Sequence, residues 1–74
     1  MENWRDEYEW VSDFSEDRAR VQKDGKQGHV NTAGEVTTPI IYDTVGNFSE
    51  GQAWVWLGNK EGHINLAGEV TWNE

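Results

Sequence analysis

The stretch Ala53-Trp54-Val55-Trp56-Leu57-Gly58-Asn59-Lys60-Glu61-Gly62-His63-Ile64-Asn65-Leu66-Ala67-Gly68-Glu69-Val70-Thr71 decides the fold. Ala53, Val55 and Leu57 recur at every second position, the period of a strand with one buried face. Gly58-Asn59 follows, a pair that tolerates the positive φ angles of a type I′ hairpin. A second strand over Gly62–Asn65 runs into Asn65-Leu66-Ala67-Gly68, which reads as a type I turn with glycine at the left-handed bulge position. A third strand begins at Glu69 and continues to Trp72.

Upstream, Ala19-Arg20-Val21-Gln22-Lys23 repeats the alternation, Asp24-Gly25 the hairpin signal, Gly28-His29-Val30-Asn31 the second strand and Asn31-Thr32-Ala33-Gly34 the turn. The third strand here is Glu35–Thr38. Residues 8–40 align with 42–74 without a gap at a shift of 34, and 16 of the 33 aligned positions are identical. A duplication of this length has to be read before any fold is assigned. Each copy is expected to be a three-stranded antiparallel meander, led by an irregular segment at Phe14-Ser15-Glu16-Asp17 or Phe48-Ser49-Glu50-Gly51. Gly51 opposite Asp17 predicts a left-handed residue there, since aspartate is among the few non-glycine types that accept one. Pro39 is expected to lie beyond the third strand, in the connector. Two meanders with one apolar face each predict an all-β fold, a six-stranded small barrel or sandwich with pseudo-twofold symmetry.

Seventy-four residues make one domain with little interior for an enclosed catalytic pocket. Residues 1–7 form an acidic segment outside the duplication. The absence of cysteine removes disulfides and thiolate metal sites. An acidic N-terminus and the lack of a long apolar run predict a cytoplasmic protein without a membrane span. The formal net charge of −8 disfavours direct binding to nucleic acid or anionic membranes and favours a basic partner. Seven acids fall within residues 1–17, while Arg18, Arg20, Lys23 and Lys26 follow with Asp24 alone among them. A solvated, solubilising surface accounts for the same pattern.

These residues resemble the bacterial WG-repeat family. Copy two carries Tyr42-Asp43, Phe48-Ser49-Glu50-Gly51, Ala53-x-Val55, Lys60-x-Gly62, Ile64 and Gly68-Glu69-Val70. Copy one carries Tyr8, Phe14-Ser15-Glu16, Ala19-x-Val21, Gly25-Lys26-x-Gly28, Val30, Gly34-Glu35-Val36 and Pro39. The tryptophan that names the family is replaced by Gln27 and Glu61, the aromatic after the glycine by His29 and His63, and the frequent aspartate by Asn31 and Asn65. The resemblance implies a scaffold for contacts and transfers no catalytic residue.

The copies differ most at Trp54 and Trp56, which occupy the outward phase that holds Arg20 and Gln22 in copy one. Two outward tryptophans have the composition of a protein-binding hot spot. The alternative is that they fold under Trp4, Trp10 or Trp72 as a second small core, common in a chain short of interior. Glu2, Asp6, Glu7, Glu9, Asp13, Glu16 and Asp17 could present a negative stripe to a basic nucleic-acid channel. His29 and His63 read as solvent-phase residues without neighbouring ligands, so no metal or catalytic site is expected. Glu16 and Glu50 read as turn-capping carboxylates rather than a glycosidase pair, and neither a phosphate loop nor a nucleophile elbow is present.

The expectation is therefore a non-enzymatic, cofactor-free protein-binding module, an acidic inhibitor docking on a basic nucleic-acid-handling protein. In composition only, the chain resembles phage-encoded inhibitors such as anti-CRISPR proteins. The alternatives are a self-associating scaffold module that forms a homodimer, or a small carbohydrate-binding domain with aromatic platforms.

Overall fold

The structure, a computed structural model, describes residues 4–73. A single 3₁₀ turn, Trp4–Glu7, precedes eight strands: β1 (Trp10–Val11), β2 (Arg18–Lys23), β3 (Lys26–Asn31), β4 (Val36–Tyr42), β5 (Thr44–Val45), β6 (Gln52–Leu57), β7 (Lys60–Asn65) and β8 (Val70–Asn73). They form two antiparallel sheets, ordered β1-β2-β3-β4 and β5-β6-β7-β8. The all-β expectation and the repeated unit hold, but each unit has a fourth strand.

That strand lies just before the segment expected to be irregular. Trp10 and Val11 pair with Gln22 and Val21, and Thr44 and Val45 with Trp56 and Val55. The chain then reverses through Ser15-Glu16-Asp17-Arg18, where Ser15 and Arg18 exchange backbone hydrogen bonds at 2.8 and 3.0 Å. Both central residues are left-handed, Glu16 at φ 53° and Asp17 at 64°, as a type I′ turn requires. Copy two repeats this with Glu50 at 54° and Gly51 at 82°. The expected left-handed residue is present, preceded by a second one.

The remaining turns follow the side-chain chemistry. Asp24 and Gly25 both have positive φ, fitting the expected type I′ hairpin. At Gly58-Asn59 only Gly58 does, which is the type II′ pattern. Gly34 and Gly68 adopt φ 86° and 88° at the bulge position. Asn31 Oδ1 accepts the Ala33 and Glu35 N–H groups while its Nδ2 donates to Glu35 Oε1, and Asn65 does the same with Ala67 and Glu69. Those bonds explain why the copies share Asn and Glu at these positions.

Pro39 lies inside β4, not beyond it. β4 is the outer strand of its sheet, so a missing N–H leaves no inner ladder bond unmade. The β3–β4 register shifts around this stretch, whereas β7–β8 stays regular, with Asn73 at the corresponding position. The shifted strand carries Tyr42 into the core of the second unit.

The expected face-to-face sandwich or closed barrel does not form. The molecule is elongated, 44 × 25 × 16 Å, with one core per unit. Ala19, Val21 and Val30 centre the first, flanked by Trp4, Tyr8, Val11, Phe14 and Ile40. Tyr42, Val45, Phe48, Ala53, Val55 and Ile64 form the second. Two meanders would need broad apolar faces left over to pack against each other. Here each curls around its own small core, and the units meet end to end at a polar seam.

The seam is directional. Ser15 Oγ donates to the Phe48 carbonyl at 2.6 Å, and the Glu16 carboxylate accepts the Glu50 and Gly51 N–H groups at 2.7 and 2.8 Å. Gln27 Oε1 accepts the Val45 N–H at 2.9 Å, and Lys26 pairs with Asp43 at 2.9 Å. A twofold axis would require Ser49 and Glu50 to grip the first unit in return. Among the described residues they do not, so the expected pseudo-twofold arrangement is replaced by a head-to-tail one.

His29 lies in this seam, fully buried, and not in the solvent phase. Its ring packs edge-on to Phe48, with centroids 4.6 Å apart. Nε2 is 2.7 Å from the Gly46 carbonyl, which can only accept, so Nε2 carries the proton. Nδ1 then accepts from the buried Thr38 hydroxyl at 2.9 Å.

Candidate functional site

Strand β6 places Ala53 and Val55 inward and Trp54 and Trp56 outward. Trp54 is 49 % exposed and Trp56 38 %. Their rings lie 6.2 Å apart at 30°, and His63, opposite Trp54 on β7, presents its edge to that ring at 6.0 Å. The alternative in which this pair folds under other tryptophans is not what forms. Trp4 packs on Tyr8 and Phe14, Trp72 on Tyr42, and Trp10 beneath the Arg20 guanidinium at 5.5 Å.

The corresponding strand in unit one has no comparable platform. Arg20 is drawn onto Trp10, and Gln22 donates to Glu9 Oε1 at 2.8 Å. The difference between the copies therefore appears as an outward tryptophan pair on unit two, where unit one exposes the single Trp10 beneath Arg20.

Beside Trp54 a cleft of about 270 Å³ opens, lined by Asn47, Ser49, Glu50, Gln52, Ala53, Trp54 and His63. In unit one the same positions hold the seam. Ser49 and Glu50 correspond to Ser15 and Glu16, and His63 to His29. Among the described residues the expected cap of the Ser-Glu pair on its own turn does not form. The structure shows Ser15 and Glu16 capping the next unit's turn, and leaves Ser49 Oγ and the Glu50 carboxylate without a hydrogen bond among the described residues. The one signal for this in the sequence is the identity of the two Phe-Ser-Glu segments.

The acidic residues divide by role. Glu9 accepts from Gln22 and from the Asp24 N–H at 2.7 Å, bonds that hold its carboxyl below the usual range, the Gln22 bond foremost. Glu16 is engaged in the seam. Asp6, Glu7, Asp13 and Asp17 are exposed, and Glu2 lies outside the described residues. Glu9 and Glu16 sit near opposite ends of the six-residue β2, roughly 17 Å apart at ordinary strand rise. Acids beside the aromatic face include Glu61, paired across the strands with Trp56, Asp43, whose N–H donates to the Trp56 carbonyl, and Glu50 in the cleft.

Burial, above all, pushes the pKa of His29 down. The bond to Gly46 opposes that shift, and the nearby Arg20 and Arg18 charges add to it. Among the described residues no three His, Asp or Glu side chains converge as a metal centre would need, and no helix is long and apolar enough to cross a membrane.

The repeated unit and its turns match the family described as WG containing repeat, over residues 7–26 and 28–60. The chain belongs to the WG-repeat family. The second matched segment runs from Gly28 to Lys60 and so straddles the seam, spanning the boundary between the two internal copies. Comparison with curated proteins and with solved structures finds no match. WG membership accounts for the meander and its turns and brings no catalytic residue. The two tryptophans in the outward phase of β6 are particular to the second of the two repeats.

Proposed function

We propose that this WG-repeat pair is a non-enzymatic protein-contact module that docks through Trp54 and Trp56 onto a protein surface rich in lysine and arginine. The observation that carries the reading is two adjacent tryptophans, 49 % and 38 % exposed, on the sheet face that also carries Glu61. Indole faces attract Arg and Lys heads, and neighbouring carboxylates strengthen that attraction. The seam supports a stiff presentation, because its hydrogen bonds fix the second unit against the first.

A net charge of −8 supports a partner with a basic surface, in this proposal a cytoplasmic protein of the kind that handles nucleic acid, whose site the acidic chain would cover. Neither nucleic acid nor anionic membrane is a direct ligand in this reading, and no cofactor is required.

The test is capture from bacterial lysate on immobilised wild-type chain and on the Trp54→Ala/Trp56→Ala variant, washed at low and then high salt. Partners held by the wild type at low salt, released by high salt and missed by the variant are expected. Capture that survives both salt and the double substitution would overturn the reading.

A further inference from the structure

The two Phe-Ser-Glu turns each carry, besides the groups they use in the internal seam, the complementary half of that seam left over. At the seam the Glu16 carboxylate accepts the two consecutive N–H groups of the left-handed Glu50-Gly51 pair, and Ser15 Oγ donates to the carbonyl of Phe48. Unit two presents the same gripping residues, Ser49 and Glu50, which line an open cleft beside His63. The Phe14–Asp17 turn of unit one presents the same gripped groups. Glu16 and Asp17 have the same left-handed backbone as Glu50 and Gly51, and among the described residues their N–H groups and the Phe14 carbonyl have no hydrogen-bond partner.

We infer that the cleft at Ser49, Glu50 and His63 is a docking site for the Phe14–Asp17 turn of a second copy of this chain. Copies then associate head to tail, with Glu50 of one accepting the Glu16 and Asp17 N–H groups of the next and Ser49 donating to its Phe14 carbonyl. Such a heterologous contact does not close on itself, so it builds short linear assemblies rather than a symmetric dimer.

Two features of the chain limit the contact. Trp4 and Arg5 already cover the Phe14 ring, at 6.3 and 5.5 Å, so the next copy meets the turn's backbone and the outer face of the 3₁₀ turn. Asp17 stands where the internal seam has Gly51, which brings a second negative charge to the Glu50 carboxylate. Like charge on both partners makes the association weak at low ionic strength and stronger as salt screens it. That sign is opposite to the one expected for docking of Trp54 and Trp56 on a basic partner, so the two readings fail separately.

Sedimentation velocity of the full chain over a concentration series, in 50 mM and 500 mM sodium chloride, tests the inference. Association that increases with salt is expected, weakened at least tenfold by Ser49→Ala or Glu50→Gln and strengthened about tenfold by Asp17→Gly, which restores the seam's own turn and removes the repelling charge. Thermal unfolding of the Ser49→Ala and Glu50→Gln chains at low concentration should match wild type, since neither side chain holds the monomer together. A monomer under every condition, or association unchanged by Ser49→Ala and Glu50→Gln but lost with Trp56→Ala, would overturn it.

Discussion

Glu16 accepts the backbone N–H of Glu50 at 2.7 Å, although the two residues occupy the same position in the two repeats. Identical sequence thus plays two roles. In unit one the carboxylate is a clamp, and in unit two the same residue contributes the backbone that is clamped.

Glu16→Gln should therefore destabilise the chain while Glu50→Gln should not. Loss of two charge-assisted bonds at an exposed seam costs about 1–2 kcal/mol, against less than about 0.5 kcal/mol for the free Glu50 carboxylate. Urea denaturation of the two variants measures the difference directly.

Stability should fall on acidification below pH 6.5, the ordinary value for histidine, because His29 titrates below it in the folded chain. The unfolded chain binds this proton first, so the contribution is complete above that value and is lost as pH drops toward the depressed folded value. Substituting His29 removes the titration and also unpairs the Gly46 carbonyl and Thr38 hydroxyl, at a cost of about 2–4 kcal/mol. Unfolding midpoints of wild type and His29→Ala between pH 7.5 and 5 should converge as the pH is lowered.

Trp54→Ala and Trp56→Ala should change stability by less than about 1 kcal/mol, since both side chains are outward and neither lies in a core. Each should weaken partner binding by about 2 kcal/mol, roughly thirtyfold. Calorimetric titration with the captured partner, alongside thermal melts, separates the two effects.

A methyl group at Gly28 would stand 2.6 Å from the Thr38 carbonyl, and one at Gly62 would meet the Thr71 carbonyl and Trp72. Both carbonyls belong to neighbouring strands that cannot retreat without opening the ladder. Gly28→Ala and Gly62→Ala should each cost at least about 2 kcal/mol, seen as a lowered urea midpoint at unchanged slope. Both glycines follow the position of the tryptophan that names the family, occupied here by Gln27 and Glu61. Gln27 uses that position to bridge Gln22 and the Val45 N–H across the seam.

The strands, hairpins and bulge turns were legible in the chain because they depend on local chemistry: alternation at Ala53-x-Val55, positive φ at Gly25, Gly34 and Gly68, and the Asn-to-Glu bonds at 31 and 65. The outward phase of Trp54 and Trp56 followed from the same alternation. Local chemistry could not place the first short strand of each unit, where two paired residues, Trp10-Val11 or Thr44-Val45, are too few to show a period. Nor could it place Pro39 inside β4, which depends on β4 being the outer strand of its sheet.

By itself the sequence determined a duplicated all-β unit, its WG kinship and which copy carries the aromatic face. Only the tertiary structure decided how the units meet. Each is curled around its own core, so beside Tyr42, the His29–Phe48 ring contact and the Lys26–Asp43 pair, what joins them is a set of directed hydrogen bonds that Ser15, Glu16, Gln27 and His29 make with the backbone of the next unit. Those bonds connect residues 17 to 35 positions apart, and two identical copies cannot reveal from sequence which of them is holding and which is held.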